Sequence, residues 1–230
     1  MESGNTLNVP YVRFETPESS RTSSNDRELE ELLARARAQV AATKESRVGA
    51  RPGNPRCPGG ADDALSALLC RVWPRLLGYA RKLTCDEDSA QDVAQETMVK
   101  IITSLRNFRP SHGASGFMSW VFTIATNVYR DNLRRNSRLV PTADAGTLLA
   151  RRPRPSLDDQ AHDNIQREAI LSVLAVLPEE QKIALVLRTY YGYSYREIGR
   201  IMRCPEGTVK SRVHAAVLTV REELKRRGML

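Results

Sequence analysis

Wherever this chain is apolar, its apolar residues recur every three or four positions, and nowhere do they alternate every second position over a useful length. The first spacing lines one face of an α-helix, whereas a half-buried strand needs the second. Leu65, Leu68, Leu69, Val72, Leu76 and Tyr79 keep that step, as do Val93, Thr97, Ile101 and Leu105, and then Trp120, Ile124 and Val128, with Leu133 a candidate five residues on. The fold class expected is therefore all-α. Pro74 interrupts the first run and marks a kink or a helix start. A second helix is expected to begin near Asp86, and a third to follow a loop at Phe108–Gly116 (FRPSHGASG).

Two stretches break the pattern and divide the 230 residues. Residues 1–60 are rich in Ser, Thr, Pro, Gly and Arg and end in RPGNPRCPGG, a composition that resists compact packing. They read as a largely disordered N-terminal extension. Inside it Asp26 can cap a helix whose stripe is Leu29, Leu32, Leu33, Ala36 and Val40. A helix over 26–44 is expected to be transient within a tail; a docking element is the other reading. Residues 61–138 form a first small helical domain. Residues 139–163 carry Pro141, Pro153 and Pro155, the basic run Arg151, Arg152 and Arg154, and then Asp158, Asp159 and Asp163. They read as a flexible linker. Residues 164–230 form a second helical domain.

The formal net charge of +8 suits a polyanionic partner, although charge alone does not separate a nucleic-acid binder from a basic protein that merely stays in solution. No run of 18 apolar residues occurs, so no membrane insertion is expected. The first thirty residues lack the basic start and apolar stretch of a signal peptide, and the chain reads as cytoplasmic. Cys57, Cys70, Cys85 and Cys204 are scattered without a CxxC pair, and His112, His162 and His214 lie far apart. No metal, no cofactor and no catalytic residue is expected, and the chain does not read as an enzyme.

The clearest local signal is SYREIGRIMRCPEGTVKSRVHAAV, Ser194 to Val217. Ser194 with Glu197 three residues later makes a capping box that starts a helix. Ile198, Ile201 and Met202 face inward. A break at Arg203–Cys204–Pro205 leads to a second helix with Pro205 at its first position and Val209, Val213 and Val217 as its buried stripe. Thr208, Lys210, Ser211, Arg212 and His214 then fall on its more exposed side. Short polar and cationic side chains near a helix N-terminus suit phosphate and base-edge contacts in a major groove. A plain helical hairpin with a solvated basic face is the alternative. Gly199, a turn at Gly207 and TVKSR together favour DNA.

This segment resembles region 4 of extracytoplasmic-function sigma factors, through LPEEQ (Leu177 to Gln181), GYSYREIGRIM (Gly192 to Met202) and EGTVKSRV (Glu206 to Val213). Two-component response regulators carry a similar helix-turn-helix, so the first domain decides. DSAQDVAQETMVKI (Asp88 to Ile101) resembles the family's region 2.2, and FMSWVFTIATNVYRDNLRR (Phe117 to Arg135) resembles regions 2.3 and 2.4. The resemblance implies two helical domains, region 2 and region 4, on one tether. It implies core RNA polymerase, through its β′ and β subunits, promoter DNA and an anti-sigma factor as partners. Asp88, Asp92, Gln95 and Glu96 share the polar side of one helix, and the resemblance assigns them to core polymerase.

Arg130, Arg134, Arg135 and Arg138 make a basic stripe able to engage phosphates. Trp120, Asn127, Arg130, Asp131, Arg134 and Arg135 are the −10 residues implied, although spacing places Trp120 mostly in the core. Thr208, Lys210, Ser211, Arg212 and His214 are those for the −35 element. The Phe108–Gly116 loop is similar in position to the one that captures a flipped base. Family members carry further arginines after TVKSR, where this chain has Ala215 and Val217. Cys204 stands where a Ser or Thr would cap the recognition helix, and a thiol at a helix N-terminus is a candidate redox switch. A conventional helix-turn-helix regulator acting without core polymerase is the rival reading; it explains Ser194–Val217 but not the acidic helix. An interaction adaptor with solvated basic surfaces is a second.

Overall fold

The computed structural model describes residues 22–42, 64–109, 113–139 and 170–228, with side chains described at 26–40 and 115–136 within the first and third stretches. Beyond Leu139 the expected linker lies outside the described residues, as does most of the extension. Among the described residues every regular element is helical. They fall in two compact units. The first holds α1 (Thr22–Ala42), α2 (Ala64–Thr84), α3 (Glu87–Ser104), a 3₁₀ turn (Leu105–Asn107) and α4 (Gly113–Leu139). The second holds a helical stretch at 170–175, α5 (Glu179–Thr189), α6 (Tyr195–Met202) and α7 (Glu206–Arg226).

The core of the first unit is built where helical spacing places apolar side chains on facing stripes. From α2 come Leu68, Val72, Leu76, Tyr79 and Leu83; from α3, Ala90, Val93, Ala94, Thr97 and Ile101; from α4, Phe117, Val121, Phe122, Ala125 and Val128. Each large side chain removed from water here contributes about 1.5–3 kcal/mol. The Tyr79 hydroxyl lies 2.8 Å from Thr126 Oγ1. Thr126 gives its one proton to the Phe122 carbonyl, so Tyr79 is the donor. Pro74 is not a helix start: α2 runs through it, with the ring exposed to solvent.

A tight corner joins α2 to α3. Cys85 turns left-handed at φ 55°, and its N–H donates to the Arg81 carbonyl. Asp86 then caps α3, accepting from the Ser89 N–H at 3.0 Å and the Ser89 hydroxyl at 2.6 Å. Arg81 clasps Glu87 across this corner through hydrogen bonds of 2.7 and 2.6 Å.

Two expectations change in this unit. The helix expected to be transient within a tail is α1, and it packs on α2. Leu29, Leu33 and Ala36 are buried, while Leu32 and Val40 are only half-buried. Gln39 Oε1 accepts the Leu65 N–H, one of the orphan donors in the first turn of α2, and Glu28 pairs with Arg71 at 3.0 Å. The stretch Phe108–Gly116 is also not one open loop. Phe108 is buried, and α4 already begins at Gly113.

In the second unit α5 is buried on every side from Lys182 to Leu187. It packs against α6 and α7, whose inward residues are Ile198, Ile201 and Met202, and Val209, Val213, Ala216, Val220 and Leu224. At the end of α7, Arg226 and Arg227 both donate to the Glu223 carboxylate, and Arg227 reaches on to the hydroxyl and carbonyl of Ser172. These hydrogen bonds, from Arg226 first and Arg227 second, hold Glu223 down at about 2.

Candidate nucleic-acid interface

The exposed face of α3 is acidic at its start. Asp88, Asp92 and Gln95 are exposed and, at steps of four and three, lie above one another. Glu96 stands to one side, half-buried, and is shared by Lys100 at 3.0 Å and by Arg135 of α4 at 3.6 Å. The same line continues through Val99 and Ile102, which are 55% and 38% exposed. Sequence reasoning passed over these two; continuing the steps from Asp88, Asp92 and Gln95 to 99 and 102 was the signal that would have found them. The exposed face of α3 thus begins acidic and ends apolar.

On α4 the six candidate positions separate by environment. Phe117 and Phe122 are fully buried, whereas Trp120 is half-buried. Its ring lies 4.8 Å from Phe108 and 5.8 Å from Phe117, so it is supported from within and open outward. Trp120 and Ile124 are therefore not the core stripe of this helix. Each four-residue step overshoots a full turn by about 40°. The buried stripe instead runs Phe117, Val121, Ala125, Val128. Asn127, Arg130 and Asp131 are half-buried, and Arg134 and Arg135 are exposed. Asp131 lies 3.9 Å from Arg134, and Arg135 reaches both Glu96 and the Asn132 side chain. Part of the basic stripe is thus already neutralised. The Arg138 side chain lies outside the described residues.

The helix-turn-helix forms as its sequence dictates at the start and differs at the turn. Ser194 accepts from the Glu197 N–H at 3.3 Å, and Glu197 accepts from the Ser194 N–H at 2.9 Å, which completes the capping box. Arg203 ends α6 at φ 55°, and the Cys204 N–H donates to the Gly199 carbonyl. A Cβ on Gly199 would lie 2.7 Å from the Cys204 carbonyl oxygen, so only glycine admits this turn. Gly207 is not part of the turn: it lies inside the first turn of α7, and a Cβ there would meet nothing. Pro205, not Cys204, is the cap residue of α7, with Glu206 first in the helix. Cys204 therefore does not take the capping position on which its redox role was argued.

The exposed side of α7 brings Lys210, Ser211 and His214 to the surface, with Thr208 half-buried beside them. Lys210 is held by Glu206 at 2.8 Å, and their hydrogen bond lowers the carboxyl and raises the ammonium from their ordinary values. Ser211 donates to the Thr208 carbonyl. Arg212 turns the other way. Its guanidinium pairs with Glu180 of α5 at 2.8 Å and donates to the Cys204 sulfur at 3.4 Å, pinning the helix and the turn to the domain core. Val217 is half-buried, and the inward stripe shifts to Ala216 for the same geometric reason as in α4. Sequence reasoning also missed Arg196, Arg200 and Arg203, all exposed, which line a cleft with Gly199, Cys204, Pro205 and Glu206. Their i, i+4, i+7 spacing was the available signal.

Among the described residues no three His, Cys, Asp or Glu side chains gather as a metal site would require, and no helix is long and apolar enough to cross a membrane.

Residues 59–139 match the family model for Sigma-70 region 2, and residues 167–220 match that for Sigma-70, region 4. The ECF RNA polymerase sigma factor EcfG of Rhodopseudomonas palustris (strain TIE-1) is 33% identical over 155 residues, covering 67% of this chain and 79% of the relative. The RNA polymerase sigma-H factor of Pseudomonas aeruginosa is 31% identical over 178 residues, covering 70% and 86%. Among solved structures, the sigma factor RpoE in complex with the anti-sigma factor NepR from Bartonella quintana aligns with a TM-score of 0.51 at 27% identity, over 68% of this chain and 94% of that one. CnrH in complex with the cytosolic domain of CnrY shares the fold, with a TM-score of 0.52 at 23% identity over 88% and 98%. With two helical units in this order, each matching its own sigma-70 region, the chain belongs to the ECF RNA polymerase sigma factors.

Proposed function

We propose that this chain binds core RNA polymerase, directs it to promoters and opens the DNA there, as a sigma factor and not as an enzyme. The observation that carries this reading is the pairing, within one unit, of a docking face on α3 with a cationic, aromatic-backed face on α4. Asp88, Asp92 and Gln95 make the first contact with the β′ and β subunits, and Val99 and Ile102 extend it into an apolar patch. Glu96 serves the same face from its edge. It also holds Arg135, so polymerase contacts at Glu96 release a cation toward DNA.

Trp120, Asn127, Arg130, Asp131, Arg134 and Arg135 read the −10 element. Trp120 is suited to stack on an unpaired base, since its ring has an aromatic floor and an open side. Captured bases and phosphate contacts offset lost stacking, so melting needs no nucleotide hydrolysis. Thr208, Lys210, Ser211 and His214 read the −35 major groove, and Arg212 positions their helix. In this reading Lys210 exchanges Glu206 for a phosphate or base edge, at little cost because the pair is exposed. An anti-sigma factor is the natural inhibitor, as NepR is found with RpoE. The chain acts where core polymerase and chromosomal DNA meet, in the cytoplasm.

The test is association with purified core polymerase by gel filtration. The wild-type chain co-elutes, and D88N/D92N weakens the complex at moderate salt while leaving helix content unchanged. A folded wild-type chain that elutes apart from core polymerase overturns the reading.

A further inference from the structure

The cations expected to hold DNA on the recognition helix are largely engaged elsewhere. Arg212 is committed to Glu180, and Lys210 reaches DNA only by leaving Glu206. The preceding helix shows the reverse. Arg196 and Arg200 are exposed on one face of α6, a step of four apart, Arg203 is exposed where it ends that helix left-handed, and none of the three has a salt bridge among the described residues. They line one cleft, whose single acidic wall residue, Glu206, is already bonded to Lys210.

Three guanidinium groups share one carboxylate, Glu206, which also serves Lys210, so the cleft keeps a net positive charge for an anion. The cleft's position says which anion. Pro205 and Glu206, the cap and first residue of α7, form its wall, so the cleft opens beside the end of α7 that would enter a groove. A helix N-terminus in the major groove brings the flanking sugar–phosphate strand alongside that end. Arg196 and Arg200 stand about 6 Å apart along α6 at 1.5 Å per residue, a spread that spans neighbouring phosphates on one strand.

We infer that Arg196, Arg200 and Arg203 form a phosphate clamp that grips the DNA backbone beside the −35 major groove and supplies the cationic hold that α7 lacks. The clamp rests on the reading of α7 as the −35 reader. It positions the recognition helix without reading bases, since guanidinium contacts to phosphate carry no sequence information.

The experiment uses the full chain with core polymerase and a duplex promoter fragment identified by sequencing the transcripts of that holoenzyme. Affinity is measured across salt concentrations. R196Q/R200Q/R203Q flattens the dependence of log affinity on log salt by about 2–3 units, at roughly 0.9 for each phosphate no longer neutralised. A fourfold rise in salt then costs the variant about 40-fold less affinity than it costs wild type. The loss at low salt is the same for any −35 sequence, and R196K/R200K/R203K keeps the wild-type slope. An unchanged slope in the glutamine variant overturns the clamp, as does a loss confined to one −35 sequence or an equal loss in the lysine variant. Wild-type affinity indifferent to the −35 sequence overturns the reading of α7 itself, and that failure shows on wild type alone.

Discussion

Two glycines eight residues apart face opposite constraints. Gly199 lies where any Cβ would strike the Cys204 carbonyl at 2.7 Å, with backbone as the obstacle, so the turn between α6 and α7 must shift to admit it. Gly199→Ala is expected to destabilise the second unit by about 1–3 kcal/mol, the cost of forcing extra volume into well-packed surroundings. Gly207→Ala meets nothing and gains helix propensity, so it should stabilise by up to about 1 kcal/mol. Urea unfolding of the full chain followed by circular dichroism checks both, and the same sign for the two would contradict the account of the turn. The capping box of Ser194 and Glu197 was legible in sequence because both partners sit within one turn. The pair of Arg212 with Glu180 was not, because the two lie on different helices and only packing brings them together. That is why Arg212 read as a DNA-facing residue while its guanidinium is bonded to Glu180 and to the Cys204 sulfur.

At the scale of the helix, α1 shows how composition misleads. Its apolar stripe was visible, but its Ser-, Pro- and Gly-rich surroundings argued for a tail, and the partner surface on α2 lies well downstream in the chain. Leu29→Ala with Leu33→Ala should release α1 from the bundle, since burial of each Leu is worth about 2–5 kcal/mol by such truncations. Hydrogen exchange should then show lost protection over residues 22–42 with α2–α4 still protected; protection retained in α1 would count against docking. The stripes of α4 and α7 were legible as helical, with Val128, Val209 and Val213 buried as expected, but Trp120, Ile124 and Val217 fall off them, because four-residue steps were followed where a three-residue step corrects the drift. The end of α7 makes a pH-dependent clamp. Glu223 is held at about 2 by Arg226 and Arg227, below its ordinary 4.5. A depressed carboxyl stabilises fully above its unfolded value and loses that contribution as pH falls from about 4.5 toward 2. Glu223→Gln should therefore lower stability at neutral pH and narrow its gap to wild type across that window. A gap constant with pH would mean the carboxylate charge contributes nothing.

For the molecule as a whole, the decisive fact is one chain carrying two helical units with different tasks. The order of units was legible because each has its own local motif: the acidic run from Asp88 and the segment from Phe117 to Arg135 in the first, the capped helix-turn-helix in the second. What was not legible is how surfaces share charge between helices, since Glu96 pairs with Arg135 of α4, whereas the Glu206–Lys210 pair, four residues apart in one helix, was within reach of spacing. A net charge of +8 coexisting with an exposed acidic face on α3 is consistent with a protein that must hold both a basic protein surface and DNA. Run-off transcription with purified core polymerase tests this most directly. Adding the wild-type chain should produce transcripts from discrete start sites that share upstream elements, and D88N/D92N should reduce their yield without moving them. If the folded chain, free of inhibitor, leaves core polymerase starting no more selectively than it does alone, the account is contradicted.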